Sequence, residues 1–207
     1  MNIRTEQEHA AACQRISTLD WSAAGKRLGL VPRHRAIKAP LFGLSYRITP
    51  KGCFDEEGQQ ATTALELLLY RFVLDCPGAL PPKDQCISFR EIEGSGPLVA
   101  AFANNTHKII AGHFADSPEA LCGAACKMAG SIEQQNGGYD LSICFDALPG
   151  IPLYLQYNAA DKDFPAYAGI LFHRSTERHL GLQALFILGT YLTGRLIQTE
   201  RHLNDRV

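Results

Sequence analysis

A chain of 207 residues with 20 basic and 21 acidic side chains has a formal net charge of -1. It projects no global field toward a polyanion, so nucleic acid is not expected as its main partner. Its 46% hydrophobic and 20% charged residues exclude the disordered and fibrous classes and suffice for one well-filled core.

The polar start, Met1 to Glu8, leads into no apolar stretch of signal-peptide or membrane-span length. A cytoplasmic location without membrane attachment is therefore expected. Residues 4 to 18 place apolar groups at helical spacing, and Asp20-Trp21-Ser22 begins a second short helix that stops at Gly29. These make an N-terminal helical arm, about residues 1–30, on a single domain spanning 1–207. The basic run Arg33-His34-Arg35-Ala36-Ile37-Lys38 reads as a solvated surface loop. Leu41 to Ile48 alternates as a strand, and Pro50-Lys51-Gly52 turns toward a return strand near Cys53-Phe54.

From Gln59 to Cys76 the leucines fall on more than one side, as in a helix at the hub of a core. Pro77-Gly78 ends it, Pro81-Pro82 forces an extended path, and Cys86 to Ile92 alternates before the Gly94-Ser95-Gly96 loop. Residues 97 to 104 suit a short helix, and 106 to 129 suit one long helix or two joined near Pro118. Asn136-Gly137-Gly138 leads into a predicted β-meander: Tyr139 to Phe145, a turn at Leu148-Pro149-Gly150-Ile151-Pro152, a second alternating run, and Gly169 to His173. Ser175 or Thr176 is placed to cap a last helix with an apolar face from Leu180 to Leu192, fraying after about residue 200. The fold class is α+β: an antiparallel sheet that includes the C-terminal meander, packed against several helices.

In order, Leu68-Leu69-Tyr70, Ser88 to Gly94, Leu148 to Leu153, Asp161-Lys162-Asp163-Phe164-Pro165 and Ile170-Leu171-Phe172-His173 resemble the successive motifs of the domain of unknown function 3786 family. The resemblance runs from about Trp21 to Leu196. It implies an anaerobic bacterial or archaeal setting and a link to corrinoid or redox metabolism, with no activity attached. The added cysteine segment that holds an iron-sulfur-type cluster in some members is missing here. The chain departs from the motifs at His173, where the pattern has Asp, and at Asp163, where it has Glu.

The residues themselves nominate a site on the meander. Asp161, Asp163 and His173 are oxygen and nitrogen donors that a loop returning into a strand can gather, a set suited to a divalent metal or an acid-base pair. The plainer alternative, favoured by the sparse donor set, is that the aspartates shape the turn while His173 starts the following helix or is solvated. Arg90 and Glu91, beside Gly94-Ser95-Gly96, offer an anion fork or, more simply, a structural ion pair. Tyr154, Tyr157 and Tyr167 on the meander offer rings to stack a flat ligand or, as is frequent on a half-buried sheet, serve the sheet alone.

Cys122 and Cys126, at i and i+4 with His107 or His113 nearby, are alternatively a soft-metal pair or buried thiols; the surrounding alanines favour burial. The seven cysteines, odd in number and scattered, are expected to remain thiols, mostly as small core residues. Asn104-Asn105-Thr106 reads as a helix cap, and no nucleophile elbow or His-Glu-x-x-His motif occurs. The sequence thus points to a binding or accessory protein for a small-molecule ligand or a protein partner, its cofactor unknown. The alternatives are a small metal-assisted or acid-base enzyme and a homodimeric structural subunit.

Overall fold

Local signals form two helices at the N-terminal end of the chain. In the computed structural model, which describes residues 3–78, 85–133 and 138–205, helix α1 spans Ile3–Ser17 and helix α2 spans Trp21–Leu28. Asp20 accepts from the Ala23 N–H at the start of α2, and Gly29 in the left-handed region closes its end.

The next segment corrects the single strand expected over 41–48. Strands β1 (Ile37–Leu41) and β2 (Leu44–Thr49) form a hairpin, because Phe42 and Gly43 take φ of 47° and 78° and reverse the chain. Alternation hides this turn because Phe42 is itself a core side chain, 1% exposed. Strand β3 (Gly52–Phe54) pairs with β2 as expected and completes a three-stranded sheet.

Thr62 accepts from the Leu65 N–H and begins helix α3 (Thr63–Asp75), which packs against α1, α2 and β3. Residues 81 and 82, with their expected extended path, lie outside the described residues. Strand β4 (Cys86–Ser88) is shorter than its alternation suggests. The Glu91 carboxylate reaches back to the Ser88 N–H and hydroxyl, at 2.7 and 2.8 Å, and turns residues 89–91 into a 3-10 helix.

Helices α4 (Val99–Asn105), α5 (His107–His113) and α6 (Pro118–Lys127) follow, with the predicted break before Pro118. Asn105 closes α4 by donating to the Ala101 carbonyl at 2.8 Å. Strands β5 (Gly130–Ile132), β6 (Leu141–Leu148), β7 (Ile151–Asn158) and β8 (Tyr167–His173) then build the meander; Asn136 and Gly137 lie outside the described residues.

The last helix, α7 (Arg174–Asn204), also packs on α3. It starts at His173 with no side-chain cap bond, so neither Ser175 nor Thr176 caps it, and it continues past the point of expected fraying. Gly181, at φ 75° and ψ 166°, occupies a region reserved for glycine and kinks it. By length and composition α7 could cross a membrane, yet Leu180, Leu185, Leu188, Leu192 and Leu196 are at most 1% exposed inside this protein's own core.

The five-stranded sheet has the order β4-β8-β7-β6-β5 and is antiparallel throughout. One face, with Ile143, Phe145, Leu153, Leu155, Tyr157, Ile170 and Phe172, is buried. The other, with Cys86, Leu171, His173, Tyr154, Gln156 and Cys144, is largely half-open and carries most of the polar groups.

All seven cysteines are free thiols, but only Cys53 and Cys76 are buried, which corrects the expectation that most serve as core residues. Burial pushes the Cys76 thiol up to about 12. Cys122 is half-buried and Cys126 exposed, because Leu121, Ala124, Ala125 and Met128 occupy the inward side of this segment.

Candidate functional site

Period-two alternation along β8 puts Tyr167, Gly169, Leu171 and His173 on the open face. Tyr167 pairs with Asn158 beside the β7–β8 loop, while His173 pairs with Cys86 at the far end. Six residues of strand, about 20 Å, therefore separate the loop carrying Asp161 and Asp163 from His173. The expected cluster of two aspartates and a histidine does not form. Among the described residues, no three His, Cys, Asp or Glu side chains converge as metal ligands.

At the loop end, Asp161 performs the turn-shaping role. Its Oδ1 accepts from the Asp163 and Phe164 N–H groups at 2.8 and 2.7 Å, and its own N–H donates to the Phe164 carbonyl at 2.9 Å. Asp163 points its backbone into this turn and is exposed. Asp140, just before β6, accepts from the Ala159 N–H, while its own N–H donates to Asn158 Oδ1, each at 2.8 Å. These reciprocal bonds tie the start of β6 to the end of β7.

Between the two tied segments lies a cleft of about 670 Å³ lined by Asp140, Asn158, Asp161, Phe164, Pro165 and Tyr167 among others. Phe164 is 71% and Tyr167 49% exposed. The Tyr167 ring stacks on Tyr139 at 6.1 Å and lies over Gly169, where a Cβ would come within 2.7 Å of the tyrosine oxygen. Burial, then Tyr139, raises the Tyr167 hydroxyl above its usual range.

At the far end, His173 Nε2 lies 3.1 Å from the Tyr154 hydroxyl, with the rings stacked at 5.5 Å. His173 is 7% exposed, and its Nδ1 has no hydrogen-bond partner among the described residues. Cys144 stands opposite Tyr154 and Cys86 opposite His173. Burial first, then the neighbouring thiols, lifts the Tyr154 hydroxyl to about 12, so it remains a proton donor at neutral pH. Burial also raises Cys144, helped by Glu133 and opposed by Tyr154.

The other nominated residues separate further. Tyr157 is on the buried face, donating to the Phe114 carbonyl at 2.6 Å, and so cannot join Tyr154 and Tyr167 around one ligand. Glu91 belongs to the Ser88 turn, whose backbone N–H and hydroxyl hold its carboxyl below the usual range. Arg90 is exposed and outside the cleft, and among the described residues it forms no ion pair, so the structural pair expected for it is corrected.

His107 accepts from the Ile170 N–H and is lowered by burial, and His113 contacts Glu200, so neither partners the Cys122–Cys126 pair. Sequence reasoning missed Asp140 and Phe164 as cleft residues and Tyr154 as the partner of His173. The signal for Asp140 was its place just outside a strand end, next to Tyr139.

No curated protein and no solved structure gives a significant match to this chain. The model of the family described as domain of unknown function (DUF3786) matches residues 20–195, which takes in α2 to β8, both ends of the open face and most of α7, and the chain belongs to that family.

Proposed function

We propose that this is a cytoplasmic binding or accessory protein whose cleft at the loop end of the meander receives a small ligand, free or carried by a protein partner. The observation that supports this is the exposure of Phe164 and Tyr167 on a turn held by Asp161, with the Asp140 and Asp161 carboxylates beside them. Most of the phenylalanines, by contrast, are fully buried. Aromatic faces beside carboxylates favour a flat, positively charged ring, through cation–π attraction of about 0.5–2 kcal/mol together with charge pairing.

The test is a nuclear magnetic resonance titration with N-methylpyridinium as the charged probe and benzyl alcohol as its neutral counterpart. Shifts confined to Tyr139, Asp140, Phe164 and Tyr167, larger for the cation and removed by Tyr167→Ala, are expected. Equal response to the two probes, or shifts scattered away from the cleft, would refute the reading.

The far end supports a second reading, an acid-base enzyme, because a buried imidazole with an unpartnered Nδ1 contacts a phenol that keeps its proton. It uses Tyr154 and His173 in place of the dispersed Asp161, Asp163 and Arg90.

A further inference from the structure

Where β4 meets β8, the five-stranded sheet sets an exposed thiol across from a buried imidazole. Cys86 and His173 are register partners, and just outside them the Arg174 N–H donates to the Gln85 carbonyl at 2.9 Å. That bond makes Cys86 and His173 a non-hydrogen-bonded pair, the kind whose side chains approach most closely, with Cβ atoms about 4.5–5.5 Å apart. Cys86 is exposed, whereas His173 is 7% exposed.

The imidazole is held from the β7 side. Its Nε2 meets the Tyr154 hydroxyl at 3.1 Å, and that hydroxyl also bonds the Cys144 thiol on β6. Both contacts are satisfied when Nε2–H donates to the Tyr154 oxygen and the Tyr154 O–H donates to the Cys144 sulfur. This pattern assigns the tautomer in which Nδ1, buried and without a partner among the described residues, carries the lone pair. A base kept in one tautomer by a third group, beside a thiol, is the arrangement that activates a cysteine nucleophile. Cys86 swings its sulfur by rotation about one bond, and contacts between nucleophile and base are often looser before substrate binds.

Other thiol chemistry fits the place less well. Cys144, the second thiol on the open face, is three strand spacings from Cys86, about 14 Å along the sheet and beyond disulfide reach. Cys86 and His173 supply two donors where a structural thiol metal site takes four, and among the described residues no third His, Cys, Asp or Glu converges with them as a ligand. We propose that Cys86 is a nucleophile that accepts an acyl group from a thioester or activated ester, with His173 as its base and Tyr154 as a positioning residue. This inference rests on the acid-base reading of this end of the sheet. The Cys86 S–H proton passes to His173 Nδ1, the sulfur bonds to the carbonyl carbon, and the bond from that carbon to the leaving oxygen or sulfur breaks. The imidazolium then gives its proton to the leaving group, so the products are an S-acyl cysteine and an alcohol or thiol.

The test is reaction of the reduced full chain with p-nitrophenyl acetate, following nitrophenol release across pH and locating the acetyl group by peptide mass spectrometry. At neutral pH Cys86 should be acetylated at least about tenfold faster than Cys126, an exposed thiol on α6. Its rate should level off below the range in which an ordinary thiol ionises, about pH 8.5. His173→Ala should slow Cys86 by about a hundredfold and move its profile into that thiol range. Tyr154→Phe should slow it less and keep the profile, and Cys126→Ser should change nothing at Cys86. An unchanged circular dichroism spectrum confirms that each variant folds, and the profile of the parent chain needs no variant. Equal acetylation of Cys86 and Cys126 would overturn the proposal, as would a parent profile at Cys86 that follows the thiol range. Nitrophenol release that persists in Cys86→Ser yet falls in His173→Ala would remove the nucleophile and leave the acid-base reading standing. Release that depends on neither residue would remove both.

Discussion

Glu66 carries more of the molecule's polar organisation than any residue the chemistry-bearing motifs suggest. It is 6% exposed; its Oε1 accepts from the Cys53 N–H and the Gln60 amide, both at 3.0 Å, and its Oε2 meets His9 Nε2 at 3.1 Å. One carboxylate thus joins α1, α3 and the β2–β3 hairpin. Burial, then this carboxylate, raises the thiols of Cys13 and Cys53. Glu66→Ala strands a buried N–H and an amide together and should lower unfolding free energy by about 2–5 kcal/mol. Glu66→Gln keeps one acceptor and should lose less, as measured by urea denaturation. Sequence could not single out Glu66, because a glutamate in the first turn of a helix is ordinary and two of its partners, His9 and Cys53, lie 57 and 13 residues away. The role of Asp161 was legible for the opposite reason: its partners are two and three residues on.

The same contrast governs the elements. Helices α1, α2, α3 and α6 and the meander were readable because caps, prolines and periodicity are local signals. The β1–β2 turn is hidden because Phe42 serves the core, and the distance between the aspartates and His173 is hidden because alternation reports the face a residue takes and not its distance along the strand. How α1 docks was also invisible in the sequence. Arg15 grips Asp75 with two bonds of 3.1 and 2.5 Å, Arg71 adds a third at 3.2 Å, and Arg71 also reaches Glu8 at 3.4 Å. Burial alone would raise the Asp75 carboxyl, but the Arg15 and Arg71 guanidinia outweigh it and hold it below its ordinary value. A folded-state value below the unfolded one gives stability that is present above about pH 4 and is lost as pH falls through the folded value. Asp75→Asn should therefore cost about 1.5–3 kcal/mol at neutral pH. The gap from the parent chain should narrow steadily in denaturation curves taken below about pH 4. A gap that stays constant with pH would show that these bonds contribute through shape and not through charge.

At the scale of the whole molecule, the question is whether the two sheets fold as one. Phe42 links them: its N–H donates to the Ala147 carbonyl at 3.0 Å, and its ring meets Phe145 edge-on at 5.7 Å and Tyr191 of α7 at 6.1 Å. Tyr46 of β2 and Tyr191 share a hydroxyl contact at 2.8 Å. Helix α3 packs on both α1 and α7, and β1 contacts β6, so the two sheets share one hydrophobic core. A core shared in this way is expected to unfold as a single event. The lone tryptophan, Trp21, is 4% exposed in α2 and reports the arm, whereas far-ultraviolet circular dichroism reports all the helices and strands. The two signals should trace one coincident urea transition. Phe42→Ala should shift both together by about 3–5 kcal/mol. If the Trp21 signal moved first, the N-terminal helices and small sheet would be a separate unit, able to open without disturbing the meander cleft.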